Sequence, residues 1–202
     1  MKRQYPAKRL FRKRPVASNK VVSGRFVFRV RCVRENSRQR GGEIVEDILE
    51  KAAKKCEGYR LKGYHCSESS LRACAEALNI DVPEELLRVS SGFRGGGGGY
   101  GDRGGVVESG IMLISLRYGR TDPGVDVSDY SYLIRLLHKR FNDELGSYYC
   151  RMLKPFAFYL SGSAQNCSHV YQKGAGIVTK LLLEADRLIK KMPESERYVK
   201  KA

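Results

Sequence analysis

The sequence feature that most constrains the fold is a glycine run that leads into an apolar segment. Residues 91 to 119 read SGFRGGGGGYGDRGGVVESGIMLISLRYG, and residues 95–99 are all glycine. Glycine destabilises helices and strands, so the run predicts a loop, and the residues after Gly104 predict a helix that ends at Gly119. The unpaired N–H groups and positive dipole end at the start of such a helix favour anions, thiolates or metal-bound ligands.

Apolar residues recur with helical spacing from residue 43 onward, and no strand alternation follows. Helices are therefore predicted from residue 43 to 58 or 63, from 66 to before 83, over 83–89, over 105–118, from 126 or 128 to 146, around 150, and from 166 or 168 to about 189. We predict an all-α fold, an irregular helical bundle with the glycine-rich loop before a buried central helix. That central helix is too short to span a membrane.

The positive charge of the chain is concentrated at its N-terminus. The 202 residues carry a net charge of +16, and residues 1–42 hold fourteen Lys and Arg with one acidic residue, Glu35. We predict a disordered basic arm over 1–42, a helical domain over 43–192 and a charged tail over 193–202. The arm could bind nucleic acid through charge alone. It has no apolar segment typical of a secretory signal, so a cytoplasmic location is expected.

Cysteines fall at two kinds of position on the predicted helices. Cys66, Cys150 and Cys167 lie in first turns, where the helix dipole and free N–H groups lower the pKa of a thiol and make it a better nucleophile or metal ligand. Cys56 and Cys74 lie in helix interiors, where burial as small apolar residues is expected. No CxxC motif occurs, which leaves a zinc ribbon or a thioredoxin-type site unsupported.

Several segments, in their order and approximate spacing, resemble the C_GCAxxG_C_C family of redox-active proteins. They are GYHCSES, SSGFRGG with its glycine run, SGIMLISLRYG, FNDELGSYYCRMLKP and NCSHVYQKGAGIV. The resemblance covers roughly residues 43–190 and implies a small helical protein with four cysteines, three of which match Cys66, Cys150 and Cys167. The fourth belongs to a CGAxxG motif at the start of the helix after the glycine-rich loop. Counting back from SLRYG aligns that motif with GGVVES, so Gly104 stands at the cysteine position and Ser109 at the last glycine.

The resemblance leaves two active versions of the site open. In the first, the three thiolates and a fourth ligand hold zinc or an iron–sulfur cluster that could transfer electrons, and Gly104 and Gly105 form the helix end that faces it. The fourth ligand would come from one of four side chains: Glu108, His65, His169 or Cys74. In the second, two of the three thiols cycle between dithiol and disulfide with an unknown redox partner.

Three further readings compete with redox or metal chemistry. A chain that has lost the fourth cysteine could be a degenerate helical accessory or interaction protein whose basic arm binds nucleic acid. The small residues Gly105, Ser109 and Gly110 would suit close helix packing within one subunit or in a homo-oligomer. Gly99, Gly101 and Gly104 satisfy GxGxxG, but a helix precedes them where a dinucleotide site needs a strand, and no GK[ST] occurs.

Overall fold

The computed structural model describes residues 38–154 and 167–198, with side chains from residue 42 onward. In this part of the chain the helices are α1 (Arg38–Leu61), α2 (Cys66–Leu78), α3 (Glu84–Ser90), α4 (Gly105–Tyr118), α5 (Ser128–Leu145), α6 (Cys150–Leu153) and α7 (Ser168–Lys190). The same residues contain no strand, and a single isolated antiparallel bridge joins Arg103 to Tyr149. The predicted all-α fold is therefore confirmed. Among the described helices, none is long and apolar enough to cross a membrane.

The helix boundaries follow the sequence signals closely, with one difference at the start. The helix after the glycine-rich loop has the predicted bounds, and α5 ends before Gly146, which adopts a left-handed φ of 77°. Helix α1 begins at Arg38 rather than near Glu43. Its first turn precedes the first apolar residues, so the hydrophobic period gives no signal there. Residues 1–37, with most of the predicted arm and its nucleic-acid binding, lie outside the described residues.

The core is built where α4 and α7 meet the other long helices. Helix α7 contacts α1, α2, α4 and α5, and α4 also contacts α2 and α5. Fully buried side chains in the core include Leu71, Leu113, Ile114, Leu133, Leu137, Phe141, Leu181 and Leu182. Burying each such side chain stabilises the fold by about 1.5 to 3 kcal/mol relative to leaving it exposed. The first half of α4 is buried, as the sequence predicted for the central helix.

Small residues on α4 allow it to approach its neighbours inside the chain. A Cβ atom on Gly110 would lie 2.8 Å from Leu137 Cδ2 and 2.9 Å from Val178 Cγ2. Ser109 is fully buried, and its hydroxyl bonds with that of Ser70 on α2. The stripe of small residues therefore packs against α2, α5 and α7, while a homo-oligomer stays a prediction.

The glycine-rich loop forms a left-handed turn that fixes the position of α6. Residues 95–99 all have φ between 59° and 98°, a region that favours glycine. Within the turn the N–H of Gly101 donates to Gly95 O at 2.9 Å. Beyond it, Asp102 O accepts from Cys150 N at 2.7 Å, and Gly101 O accepts from Arg151 N at 3.0 Å. The loop before α4 thereby holds the start of α6 in place.

Candidate functional site

A cavity of about 280 Å³ lies where the starts of α2, α4, α6 and α7 meet the glycine-rich loop. Cys66, Cys150 and Cys167 all line it. Its apolar lining is provided by Val106, Val107, Phe141, Leu153 and Val170. The structure thus brings together the three thiols that the sequence selected, although they lie up to 101 residues apart in the chain.

Cys66 is the most accessible of the three thiols, and it lies directly against the start of α4. It is half-buried, whereas Cys150 and Cys167 are 5% and 6% exposed. A Cβ atom on Gly105 would lie 2.5 Å from Cys66 Sγ and 2.9 Å from the backbone N of Ser67. Only glycine at position 105 therefore permits this contact between α4 and Cys66. Gly105 thus lies beside the Cys66 thiol, while its role towards a cofactor stays a prediction.

Cys150 is the first residue of α6 and lies beside Lys154, one turn further along. Burial raises the pKa of its thiol to about 11, while the charge of Lys154 and a hydrogen bond to it act in the opposite direction. Cys66 and Cys167 are close enough to raise this pKa further. Cys150 is therefore a protonated thiol at neutral pH.

Cys167 precedes α7 as its N-cap residue and shares the same charged neighbour. Burial raises the pKa of its thiol, and Lys154 and Arg60 partly oppose that effect. The pKa values of Cys150 and Cys167 were predicted to be lowered by the helix starts, and that prediction is wrong. Both thiols are buried, and burial is the largest cause of the raised pKa in each.

The two cysteines in helix interiors are part of the core, as predicted. Cys56 and Cys74 are fully buried, and neither is among the residues that line the cavity. Cys74 Sγ donates to Ala175 O at 3.5 Å, and burial raises the pKa of its thiol to about 12. The pKa of the Cys56 thiol is also raised, mainly by burial. All five cysteines in the described part of the chain are free thiols.

The side chains considered as a fourth metal ligand are dispersed. Glu108 pairs with Arg103 at 3.0 Å, and burial raises its carboxyl pKa despite that partner. His169 is exposed, and like Glu108 and Cys74 it is not among the described residues that line the cavity. His65 is exposed but does line the cavity. Within the described residues, no three His, Cys, Asp or Glu side chains are grouped closely enough to hold a metal ion.

Fold and cavity together define an all-helical protein with a cysteine-lined pocket. Residues 64–181 match the family described as "Putative redox-active protein (C_GCAxxG_C_C)". The match covers more than half of the chain, and the protein belongs to this family. It includes all three cavity cysteines and the whole of α4. Comparisons with curated proteins and with solved structures found no match.

The family description places the missing cysteine at a different residue from Gly104, the position predicted from the sequence. It spells the motif GCAxxG, with the cysteine after the first glycine. GVVESG, residues 105–110, fits this order with both glycines in place, so Val106 occupies the cysteine position instead of Gly104. Gly105 and Gly110 are also the positions of α4 where a side chain would meet Cys66 or the core at less than 3.0 Å. Val106 is buried and lines the cavity.

Two basic residues of the cavity were not selected from the sequence. Neither Arg94 nor Lys154 was among the candidate site residues, yet both line the cavity. A signal for Lys154 was present, because it follows Cys150 by four residues, the spacing that places two side chains on one helical face. No local signal marks Arg94, since its position depends on how the loop folds back.

Proposed function

We propose that the protein is a thiol–disulfide redox protein in which Cys66 exchanges with the disulfide of a substrate or partner. The observation that carries this proposal is the single cavity lined by three free thiols, of which Cys66 is the most exposed. An accessible thiol suits the first attack in such an exchange, and a neighbouring thiol suits the second.

The first step forms a mixed disulfide. The Cys66 thiolate attacks one sulfur of the substrate disulfide, and the substrate S–S bond breaks. The other substrate sulfur leaves as a thiolate and takes up a proton. Cys66 is then joined to half of the substrate.

The second step closes a disulfide within the protein. Cys150 or Cys167 loses its proton and attacks the Cys66 sulfur, which releases the second half of the substrate as a thiol. Two electrons pass from the protein to the substrate, and the two thiol protons end on the released products. The positive charge of Lys154 favours the thiolate form of both candidate second thiols at this step.

Metal chemistry is a weaker interpretation of the same cavity. Three thiolates would suit zinc or an iron–sulfur cluster. However, the described donor side chains form no group that fits a metal ion, and Val106 replaces the family cysteine with an apolar residue.

The proposal is tested by redox titration of protein purified without oxygen. Samples are equilibrated with graded ratios of oxidised and reduced dithiothreitol, alkylated, and mapped by mass spectrometry. We expect a reversible disulfide between Cys66 and either Cys150 or Cys167, which Cys66→Ser abolishes. Cys74→Ser is the control and should retain it, because Cys74 lies in the core.

Two outcomes would overturn the proposal. One is a reversible disulfide that forms in Cys66→Ser as readily as in the wild type. The other is stoichiometric iron or zinc in the wild type that is lost in Cys66→Ser and Cys150→Ser but kept in Cys74→Ser. That result would establish a thiolate metal centre.

A further inference from the structure

We propose that the cavity selects small disulfides with anionic arms, such as disulfides whose carbon chains end in carboxylates. This inference rests on the proposed thiol–disulfide function and names its substrate class. Its basis is the combination of cavity size, apolar lining and positive charge around Cys66.

The size and lining of the cavity favour a small molecule. A volume of about 280 Å³ lies near the lower end of the roughly 300 to 1,000 Å³ found for small-molecule pockets, so the cavity suits a small molecule rather than a folded protein surface. Phe141, Val107 and Val170 are buried and give the cavity an apolar interior. Such an interior suits the sulfur atoms and short carbon chains of a disulfide, whereas charged ends would stay near the exposed residues.

The charge of the lining favours anions. Arg94 and Lys154 line the cavity, and none of its described lining residues is Asp or Glu. Arg94 is exposed, and in the described part of the chain it takes part in no ion pair. A guanidinium group binds a carboxylate through two parallel hydrogen bonds. Arg94 is therefore placed to bind a carboxylate arm while the sulfur atoms reach Cys66.

Both cations lie beside glycines that line the cavity. A Cβ atom on Gly99 would lie 4.0 Å from a guanidinium nitrogen of Arg94, and one on Gly95 would lie 3.9 Å from Lys154 Nζ. Both glycines themselves line the cavity. Arg94, before the glycine run, and Lys154, after α6, therefore lie on the same side of the cavity as this run.

The chemistry is the two-step exchange described above with a defined oxidant. A disulfide with two carboxylate arms accepts two electrons from Cys66 and a second cavity thiol. Its S–S bond breaks, a protein disulfide forms, and two identical thiols, each with one carboxylate, leave with the two protons. The attacked substrate sulfur and the anionic arm are held by different groups, Cys66 and Arg94.

Three disulfides of similar size and different charge test the selection. Reduced protein is mixed with anionic 3,3′-dithiodipropionate, neutral bis(2-hydroxyethyl) disulfide or cationic cystamine, and oxidation of Cys66 is followed by quenched mass mapping. Because cationic groups in a confined site raise the local concentration of anions, we expect the anionic probe to react about tenfold faster than the cationic one relative to their rates with free cysteine. Arg94→Gln should reduce this ratio about threefold or more.

The matched control is Arg88→Gln, which removes the same charge from α3. Arg88 is exposed, pairs with Glu84, and is not among the residues that line the cavity. If Arg88→Gln lowers the ratio as much as Arg94→Gln, the net charge of the protein causes the preference and the proposal is overturned. Melting curves of both variants establish that each is folded.

Other outcomes separate this inference from the proposed function. Equal relative rates for the three probes would overturn the anion selection and leave thiol exchange intact. No exchange with any probe, in protein whose Cys66 is readily alkylated, would overturn the proposed function itself. Retention of the full preference in Arg94→Gln would overturn the assignment of Arg94.

Discussion

The cysteines of this protein form two groups whose surroundings differ. Cys66, Cys150 and Cys167 lie at helix starts and line one cavity. Cys56 and Cys74 lie in helix interiors and are fully buried in the core. The thiols of the first group face a cavity, while those of the second pack among core side chains.

The two groups differ in the residues that surround their sulfur atoms. At the helix starts, Gly105 lets the backbone of α4 pack against Cys66 Sγ, and glycines of the preceding loop line the cavity together with the three thiols. In the helix interiors, side chains from several helices close around the sulfur. In this helical bundle, the surroundings of a cysteine therefore depend on whether it lies at the start of a helix or in the interior of one.

Alkylation at neutral pH should separate the two groups most strongly. We expect iodoacetamide to modify Cys66 first. Cys56 and Cys74 should react at least about 10³-fold more slowly, because the core thiols react only in rare unfolded molecules. The measurement is peptide mapping over time under reducing conditions. Modification of Cys74 at a rate near that of Cys66 would show that the core group is accessible and would remove the distinction.

Replacing Gly105 by alanine should disrupt the cavity group. The added methyl would overlap Cys66 Sγ and the backbone of α2, so we expect a loss of about 2 to 3 kcal/mol in unfolding free energy and slower alkylation of Cys66. Urea unfolding and peptide mapping measure the two effects.

Gly176→Ala is the matched control for this substitution. Gly176 lies within α7, and a Cβ atom there would meet no atom within 4 Å. Alanine should stabilise that helix by about 0.5 to 1 kcal/mol. Equal effects of the two substitutions on stability would contradict the packing of Gly105 against Cys66.

Alkaline pH should destabilise the protein through both groups. Burial raises the pKa of Cys150 to about 11 in the folded state, whereas the pKa of a thiol in an unfolded chain is about 8.5. The stability that Cys150 contributes is therefore present below about pH 8.5 and is lost as the pH rises towards about 11, by on the order of 2 to 3 kcal/mol. Urea unfolding of reduced protein across this range measures the slope.

The serine variants assign the slope to individual thiols. Cys150→Ser and Cys74→Ser should each flatten the pH dependence, since burial raises the pKa of both thiols. Each substitution also changes the free energy of unfolding by an amount that does not depend on pH. Comparing the slopes of unfolding free energy against pH removes that amount. An unchanged slope in Cys150→Ser would mean that burial does not raise the pKa of this thiol above its value in the unfolded chain.

Val106→Cys should lose only about 1 kcal/mol of packing and adds a fourth thiol to the cavity lining. We expect the introduced thiol to form a reversible disulfide with one of the cavity cysteines in the redox titration described above. Val178→Cys, at a core position away from the cavity lining, is the control and should form none. Equal disulfide content in the two variants would contradict the placement of Val106 beside the thiols.

The sequence predicted most of the fold because its signals were local. Helical periodicity, Gly146 and the glycine run each define a boundary from neighbouring residues, and the structure confirms those boundaries. Cys66, Cys150 and Cys167 were also found locally, since a helix start is visible in the pattern around each cysteine.

Features that depend on tertiary contacts were missed or reversed. The pKa of Cys150 is raised mainly by burial, which its own segment does not reveal. Arg94 lines a cavity whose other residues come from distant parts of the chain, so its own segment does not reveal this position either. Glu108 is one turn into α4, near the expected site in sequence, but Arg103 holds its carboxylate elsewhere.

The left-handed glycine turn has a consequence for how this family member tolerates mutation. Gly97 and Gly98 are exposed, and a side chain on either would meet no atom within 4 Å, so both look like permissive surface positions. Their backbone angles nevertheless disfavour any other residue. In a saturation mutagenesis experiment scored on thiol reactivity, this surface loop should therefore be as intolerant as the interior, and solvent exposure would be a poor guide to which positions evolution can vary.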